Sequence, residues 1–310
     1  MVNLNINPPE GFLDEELRDG YLVSAKMKKV WAVEIDLLYE FQRVCKKHNI
    51  KYVANGGTML GAIRHKGFIP WDDDVDIMML RPEYEKLCKL ADEFKHPYFL
   101  QTEKTDPGTL RGHAQLRNSE TTAFLKHEFL LKRTFNQGIF IDIFPMDSIP
   151  NNIIVDKIGG MLQVLFKKSS SLFANLSVRK STKNMSYIRR VVHKLFYRPN
   201  FFLMDLFYNM YEYVISHVGP ENGDKVATLI LFYKEKYWRK KEWLEDVIEV
   251  PFEYITVNVS RDYDAALTKF CGDWRTPVKK VNMHGGAHYD PDRPYTYYTE
   301  DGGILIIDKE

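Results

Sequence analysis

The sequence predicts an α+β fold: a mixed sheet flanked by helices, with a basic helical insertion. Three observations predict it. Between Met27 and His48 apolar residues recur at three- and four-residue steps, the period of a core-facing helix. The runs Ile77-Met78-Met79-Leu80 and Ile139-Phe140-Ile141-Asp142-Ile143-Phe144 have the length and composition of buried strands. From 157 to 204 ten Lys and Arg stand among Leu and Phe without a single Asp or Glu, as in basic amphipathic helices.

The whole chain sets outer bounds. Its 310 residues, 45% hydrophobic, are ample for a large core. A net charge of +1 offers no general attraction to a polyanion, and no recognised nucleic-acid motif is present, so a nucleic-acid partner is not expected. Cys45, Cys88 and Cys271 are odd in number and far apart, which argues against a disulfide framework and for reduced thiols in a cytosol. The first 24 residues lack a basic start followed by an apolar run, and no apolar stretch reaches the ~18 residues of a membrane span. The expected location is cytoplasmic, with any membrane contact peripheral.

Taken in order, the chain opens with an arm broken by Pro8-Pro9 and Gly11. The helix over 27–48 follows, its stripe made of Trp31, Ile35, Leu38, Phe41 and Cys45. Lys51–Ala54 reads as a short strand, Asn55-Gly56-Gly57 as a tight turn, and Thr58–His65 as a helix. A glycine turn opening a helix lets backbone N–H groups approach phosphate oxygens. Arg64, whose planar guanidinium suits a clamp on a diphosphate, reads either as that clamp or as a basic helix end. His65 reads equally as part of that clamp or as a basic helix end, and Lys66 as a helix end.

Asp72, Asp73, Asp74 and Asp76 then put four acids within five positions. Phe68-Ile69-Pro70-Trp71 before them and the apolar strand after them argue against a solvated turn. Strand alternation sets Asp74 and Asp76 on one face. Two neighbouring carboxylates are costly to bury unless a divalent cation lies between them.

Pro82–Lys95 predicts a helix, and 98–101, 111–117 and 121–125 predict strands. Gly138–Ile149 reads as a central strand with Asp142 embedded in it. An acid in so apolar a strand needs a cation or strong donors, and a third carboxylate beside the pair would complete a metal site. Asp147, after Pro145, reads as structural. Helices are expected over 205–218, 222–237 and 261–271, and a strand over 252–259. His284 and His288 in the tail, without a thiolate pair, are too few for a zinc site.

The run GTMLGAIRHKGFIPWDDDVDI resembles the signature of the LicD family of phosphocholine transferases, to which fukutin-type proteins are related. Sparser similarity extends from about residue 30 to about residue 285, including QLRNSETTAF and FCGDWRTP; Cys271 stands where the second of these usually has Tyr. The resemblance implies a nucleotidyltransferase-like core over 1–150, an insertion over 151–235 that meets a membrane or the acceptor, and a segment over 236–310 that returns to the core. It implies Mg²⁺, with Mn²⁺ as the alternative, held by Asp74, Asp76 and Asp142. It places Gly56, Gly57, Thr58, Arg64, His65, Asp72, Asp73 and Arg117 around the donor. The implied reaction takes phosphocholine from CDP-choline, or a similar group from another CDP-alcohol, to a hydroxyl of a cell-surface glycan. That glycan would be lipopolysaccharide, teichoic acid or capsule, free or lipid-linked. Transfer of a phospho-alditol such as ribitol or glycerol phosphate is the alternative within the same fold. A non-catalytic membrane-surface binding protein is the alternative of another class, and the intact Asp74, Asp76 and Asp142 argue against it.

Overall fold

The structure is a computed structural model. It describes residues 2–125, 135–177, 186–188, 190–191, 202–221, 223–229, 238–278, 287–300 and 303–304. The N-terminal arm holds a small hairpin, β1 (Glu16–Arg18) with β2 (Tyr21–Val23). Ser24 then caps α1 (Ala25–Lys47), its side chain accepting from the Met27 N–H. The apolar stripe of α1 is wider than its periodicity predicts. Val30, Trp31, Val33, Ile35, Leu37, Leu38, Phe41 and Val44 are all fully buried, and so are the acids Glu34 and Asp36.

A seven-stranded mixed sheet receives that helix. Its members are β3 (Val53–Ala54), β4 (Asp76–Leu80), β5 (Tyr98–Gln101), β6 (Ala114–Asn118) and the ten-residue β8 (Ile139–Ser148). At its far edge lie β9 (Lys225–Ala227) and β10 (Arg239–Lys240). Strand β8 is the hub: it runs parallel to β4 and antiparallel to both β6 and β9. Between β3 and β4 comes α2 (Gly56–His65), and after β4 comes α3 (Arg81–Cys88). A short β7 (Thr122–Phe124) pairs with β13 (His288–Asp290), which brings the C-terminal segment back to the core.

Three expected elements differ. The helix over 82–95 ends at Cys88, and Ala91–Glu93 forms one separate 3₁₀ turn. The strand over 252–259 is a hairpin, β11 (Val247–Phe252) with β12 (Ile255–Ser260). It turns at Glu253, which takes a left-handed φ of 51° and whose carboxylate accepts from Arg18 and from the Phe68 N–H. Tertiary pairing overrides helical periodicity in 222–237, where 225–227 join the end of β8 with Asp147 opposite Ala227. Residues 230–237 of that expected helix lie outside the described residues, as do most of 178–201 and His284.

Beyond the sheet, α4 (Ile153–Ser177) packs against α5 (Phe202–His217), and α7 (Tyr263–Cys271) lies beside α2 after the single turn α6 (Glu242–Glu245). Arg81 fastens this helix pair to the sheet. Its Nε and Nη2 each donate to Asp147 at 2.6 Å, and its Nη1 lies 3.3 Å from Glu212 of α5. Asp147 is structural, as expected. Breaking a buried pair leaves an uncompensated charge, at a cost of roughly 3–5 kcal/mol. Asp147→Ala is expected to lower unfolding free energy by about 3 kcal/mol, the low end of that range because Glu212 still faces Arg81. Denaturant titration checks this; a loss below about 1 kcal/mol would show that the pair does not hold α5 in place.

Candidate active site

The first residue of β4, Asp76, lies in register with Asp142 of β8. Paired residues of parallel neighbours project from the same face, so the sheet itself sets two carboxylates side by side. Asp74 precedes the strand, which begins at Asp76, so alternation along β4 does not pair these two. The strand partner of Asp76 is Asp142, and the Asp142 N–H also donates to the Val75 carbonyl at 2.9 Å.

Around Asp142 the neighbours Ile139, Ile141 and Ile143 are fully buried. Its own side chain is 17% exposed. Gln115 Nε2 donates to Oδ1 at 2.7 Å, and His113 Nε2 lies 3.0 Å from the same oxygen. Behind them Arg117, fully buried, donates from Nη2 to Gln115 Oε1 at 2.5 Å. The same guanidinium bonds Gln101 and the Gly138 carbonyl. Arg117 therefore orients the amide that orients Asp142. Burial alone would raise the Asp142 pKa; the interaction with His113, the bonds from His113 and Gln115, and nearby Arg111 outweigh it and lower the pKa below the ordinary value.

The helix α2 points its N-terminus at the same place. Gly56 has φ +49°, and a Cβ there would come within 3.4 Å of Asp76 Oδ2 and 3.9 Å of the Phe270 ring. A Cβ on Gly57 would run into the Asp72 carboxylate. The glycines thus give two acids room beside the positive end of a helix. Thr58 Oγ1 accepts from the Asp76 N–H at 2.8 Å and ties the helix to the strand.

Asp72, Asp73 and Asp74 bring carboxylate oxygens within 4.8 Å of one another. Backbone contacts fix the loop: Trp31 Nε1 donates to the Asp72 carbonyl, and the Tyr289 hydroxyl to the Asp73 carbonyl. Such an all-oxygen set suits a hard cation such as Mg²⁺ or Mn²⁺ better than zinc.

Three neighbours were not singled out in the sequence. Gln115 shares a face of β6 with Arg117, and His113 stands one residue before that strand, a spacing that points to the site only once the strand is placed. Glu34, 1% exposed, comes from α1. Burial first, and then the charges of Asp74, Asp73, Asp72 and Asp142, push its pKa well above the usual carboxylate range. Its Oε2 has no hydrogen-bond partner among the described residues. The signal was available: an acid inside the apolar run VWAVEIDLL.

Arg64 and His65 sit elsewhere. They close the far end of the ten-residue α2, about 12 Å along the axis from Gly56 at 1.5 Å per residue. Arg64 Nη1 donates to the Trp274 carbonyl at 2.8 Å, and His65 Nε2 faces Asp19 at 3.0 Å. Trp274 itself donates to Asp264, and Asp273 holds the Thr276 hydroxyl at the surface. The ring of Phe270, from the same α7 region, does reach Gly56, and the guanidinium of Arg239 lies 5.0 Å from that ring's centroid. His288 lies against Phe124 and Tyr298.

Comparison with known proteins agrees with this geometry. A family model described as LicD/FKTN/FKRP, nucleotidyltransferase domain, matches residues 49–171, which contain the glycine turn, all the Asp residues of the site and β8. The chain is 26% identical over 249 residues to the lipopolysaccharide cholinephosphotransferase LicD of Haemophilus influenzae, covering 77% of this chain and 88% of that protein. Uncharacterized proteins of Rickettsia prowazekii and Rickettsia typhi are each 39% identical over 59 residues, spanning 22% and 19% of their lengths.

The position of Glu34 makes a measurable demand. An acid whose pKa is raised by folding weakens the native state as pH climbs above its unfolded value, because the folded protein holds the proton more tightly. Glu34→Gln is expected to raise the thermal midpoint of the metal-free protein at pH 8 by roughly 1–2 °C, the shift that about 1 kcal/mol gives in a chain this size, with a smaller gain at pH 5. Calorimetry checks it; an equal loss at both pH values would show that Glu34 is tied into a structural bond.

Proposed function

We propose, from the LicD-family nucleotidyltransferase domain that residues 49–171 carry, that this chain is a transferase that moves phosphocholine from CDP-choline to a hydroxyl of a cell-surface glycan. The observation that carries the reading is the in-register pair Asp76 and Asp142, set beside the N-terminus of α2 with Asp72–Asp74 alongside. The relative named for lipopolysaccharide cholinephosphotransfer supports the choice of phosphocholine and of lipopolysaccharide as acceptor class. We assign residues 1–150 to the catalytic core, 151–235 to an insertion on the acceptor side, and 236–310 to a segment that closes on the core.

The acceptor hydroxyl oxygen forms a bond to the phosphorus nearer the choline, and the bond from that phosphorus to the bridging oxygen breaks, releasing CMP. A Mg²⁺ bound to Asp74, Asp76 and the diphosphate would offset charge on the phosphate oxygens. The chain's own groups supply the rest. Backbone N–H groups of Gly57 and Thr58, at the positive end of α2, face the diphosphate. Both donors to Asp142 act on Oδ1, so Oδ2 is the atom assigned to receive the hydroxyl proton, and the lowered pKa keeps it ionised at neutral pH. Arg117 keeps that carboxylate in line through Gln115. Asp72 and Asp73 bind donor hydroxyls or support the cation ligands. Arg64 and His65 are assigned to holding α7 and the N-terminal arm against α2, behind the donor site.

The working place follows from the donor, a cytoplasmic metabolite class, and from an acceptor carried on lipid at the inner membrane face. Among the described residues no helix is long and apolar enough to cross a membrane.

The test is a panel of CDP-activated alcohols, choline, ribitol and glycerol among them, assayed for CMP release with a cell-envelope glycan fraction. CDP-choline is expected to lead; a preference for CDP-ribitol would move the reading to phospho-alditol transfer. Asp74→Asn and Asp76→Asn are each expected to abolish turnover with the fold retained, and near wild-type turnover in either, with Mg²⁺ present, would overturn the metal assignment. Asp142→Asn is expected to bind the donor with little change by calorimetry but to turn over about 10²–10⁴-fold more slowly. Weak donor binding with unchanged saturated turnover would make Asp142 a binding residue instead.

A further inference from the structure

The helix α4 is built inside out. Its fully buried positions are small or polar, with Phe166 and Phe173 half-buried beside them against α5. Gly159 faces Val218 so closely that a Cβ would strike it, Gln163 donates to the Leu229 carbonyl, Ser170 donates to the Met204 carbonyl, and Ala174 is buried. Its outward positions are large and apolar. Ile154, Ile158, Met161, Leu165 and Leu172 fall within a narrow stripe at 100° per residue, and all are exposed, Met161 at 73% and Ile154 at 64%. A helix of a water-soluble protein places these classes the other way round. Its partner α5 buries the large Met204, Tyr208, Tyr211 and Ile215 and still exposes Phe202, Leu206, Met210 and Tyr213 on one stripe. An exposed apolar surface on this scale marks an interaction site.

The charge around it selects the partner. Residues 157–204 carry ten Lys and Arg and no acid. Of these Lys157, Lys168 and Arg190 are exposed among the described residues, and Lys168 sits within the α4 stripe between Leu165 and Leu172. On α5, Asp205 borders the stripe and Glu212 is engaged by Arg81. A second copy of this chain would bring like charge against like charge across a two-fold interface. A bilayer with anionic headgroups takes both features at once: apolar side chains enter the headgroup–acyl boundary, and lysines extend to the phosphates.

We infer that α4 and α5 form an in-plane docking surface for a membrane containing anionic lipid. It rests on the proposed function only for the lipid-linked acceptor; the surface itself is argued from exposure and charge. Docked this way, the protein would meet its acceptor in two dimensions, with the β8 end that carries Asp147 held towards the bilayer by Arg81.

The test uses the full chain and sedimentation with vesicles of phosphatidylcholine, with and without phosphatidylglycerol, at low and high salt. Wild type is expected to sediment with the anionic vesicles at low salt and much less at high salt. Met161→Glu with Leu165→Glu is expected to weaken partitioning about tenfold or more, the loss of two side chains' worth of apolar burial. Lys157→Ala with Lys168→Ala is expected to lower binding to anionic vesicles alone. Both residue pairs are exposed or at the surface, so thermal unfolding is expected to stay unchanged and confirms an intact fold. Wild type left in the supernatant with anionic vesicles at low salt, or the double Glu variant binding as tightly as wild type, overturns the inference. A dimer in solution that the double Glu variant dissociates would also overturn it, in favour of a second copy. CMP release with a water-soluble acceptor is read in parallel: its absence, with vesicle binding intact, sinks the chemistry and leaves the docking surface standing.

Discussion

Mutual repulsion among carboxylates at the start of β4 is the constraint on which the rest of this structure depends. Asp72, Asp73, Asp74, Asp76 and Asp142 converge, with Glu34 closing in from α1. Each local feature nearby reduces that repulsion or tolerates it. The α2 N-terminus supplies partial positive charge, and two glycines let it come close. His113 and Gln115 bond Asp142 from the side, with a buried Arg117 orienting Gln115. Glu34 responds differently: burial and the neighbouring acids raise its pKa well above the usual carboxylate range. A cation on a diphosphate, as proposed, would reduce the same repulsion, so electrostatic strain in the protein and affinity for such a ligand would be two sides of one quantity.

How much of this could be read from the chain alone depends on the range of the interaction. Elements written in local pattern were legible: the helix over 27–48, the glycine turn at 55–57, the strand through Asp142, and the acids themselves. Interactions decided by pairing were not. Asp76 was matched to Asp74 by alternation, when the strand begins only at Asp76 and its strand partner is 66 positions away in the chain, at Asp142. Lys225–Ala227 looked helical because nothing local reveals that β8 has an open edge there. Arg64 carries the right chemistry for a phosphate clamp, but the length of α2 sets it at the other end, where it donates a hydrogen bond to the Trp274 carbonyl. Glu34 is marked as unusual by the apolar run around it, but the fold alone gives it and His113 a neighbourhood.

The register between β4 and β8 ties the site to the insertion. Asp76 stands opposite Asp142, and Leu80 opposite Met146. One step further along the same register Arg81 meets Asp147, and through Glu212 it grips α5. Five residues along two adjacent strands therefore separate acid beside acid from acid beside base. The first pair is the one proposed to face a ligand; the second is balanced within the protein, as a permanent joint requires. Any slip of β8 against β4 would spoil both together. The position of the apolar, basic helix pair is thus set by the same backbone pairing that sets Asp76 beside Asp142, and a surface resting on a bilayer through α4 and α5 would hold that pair at a fixed distance from it.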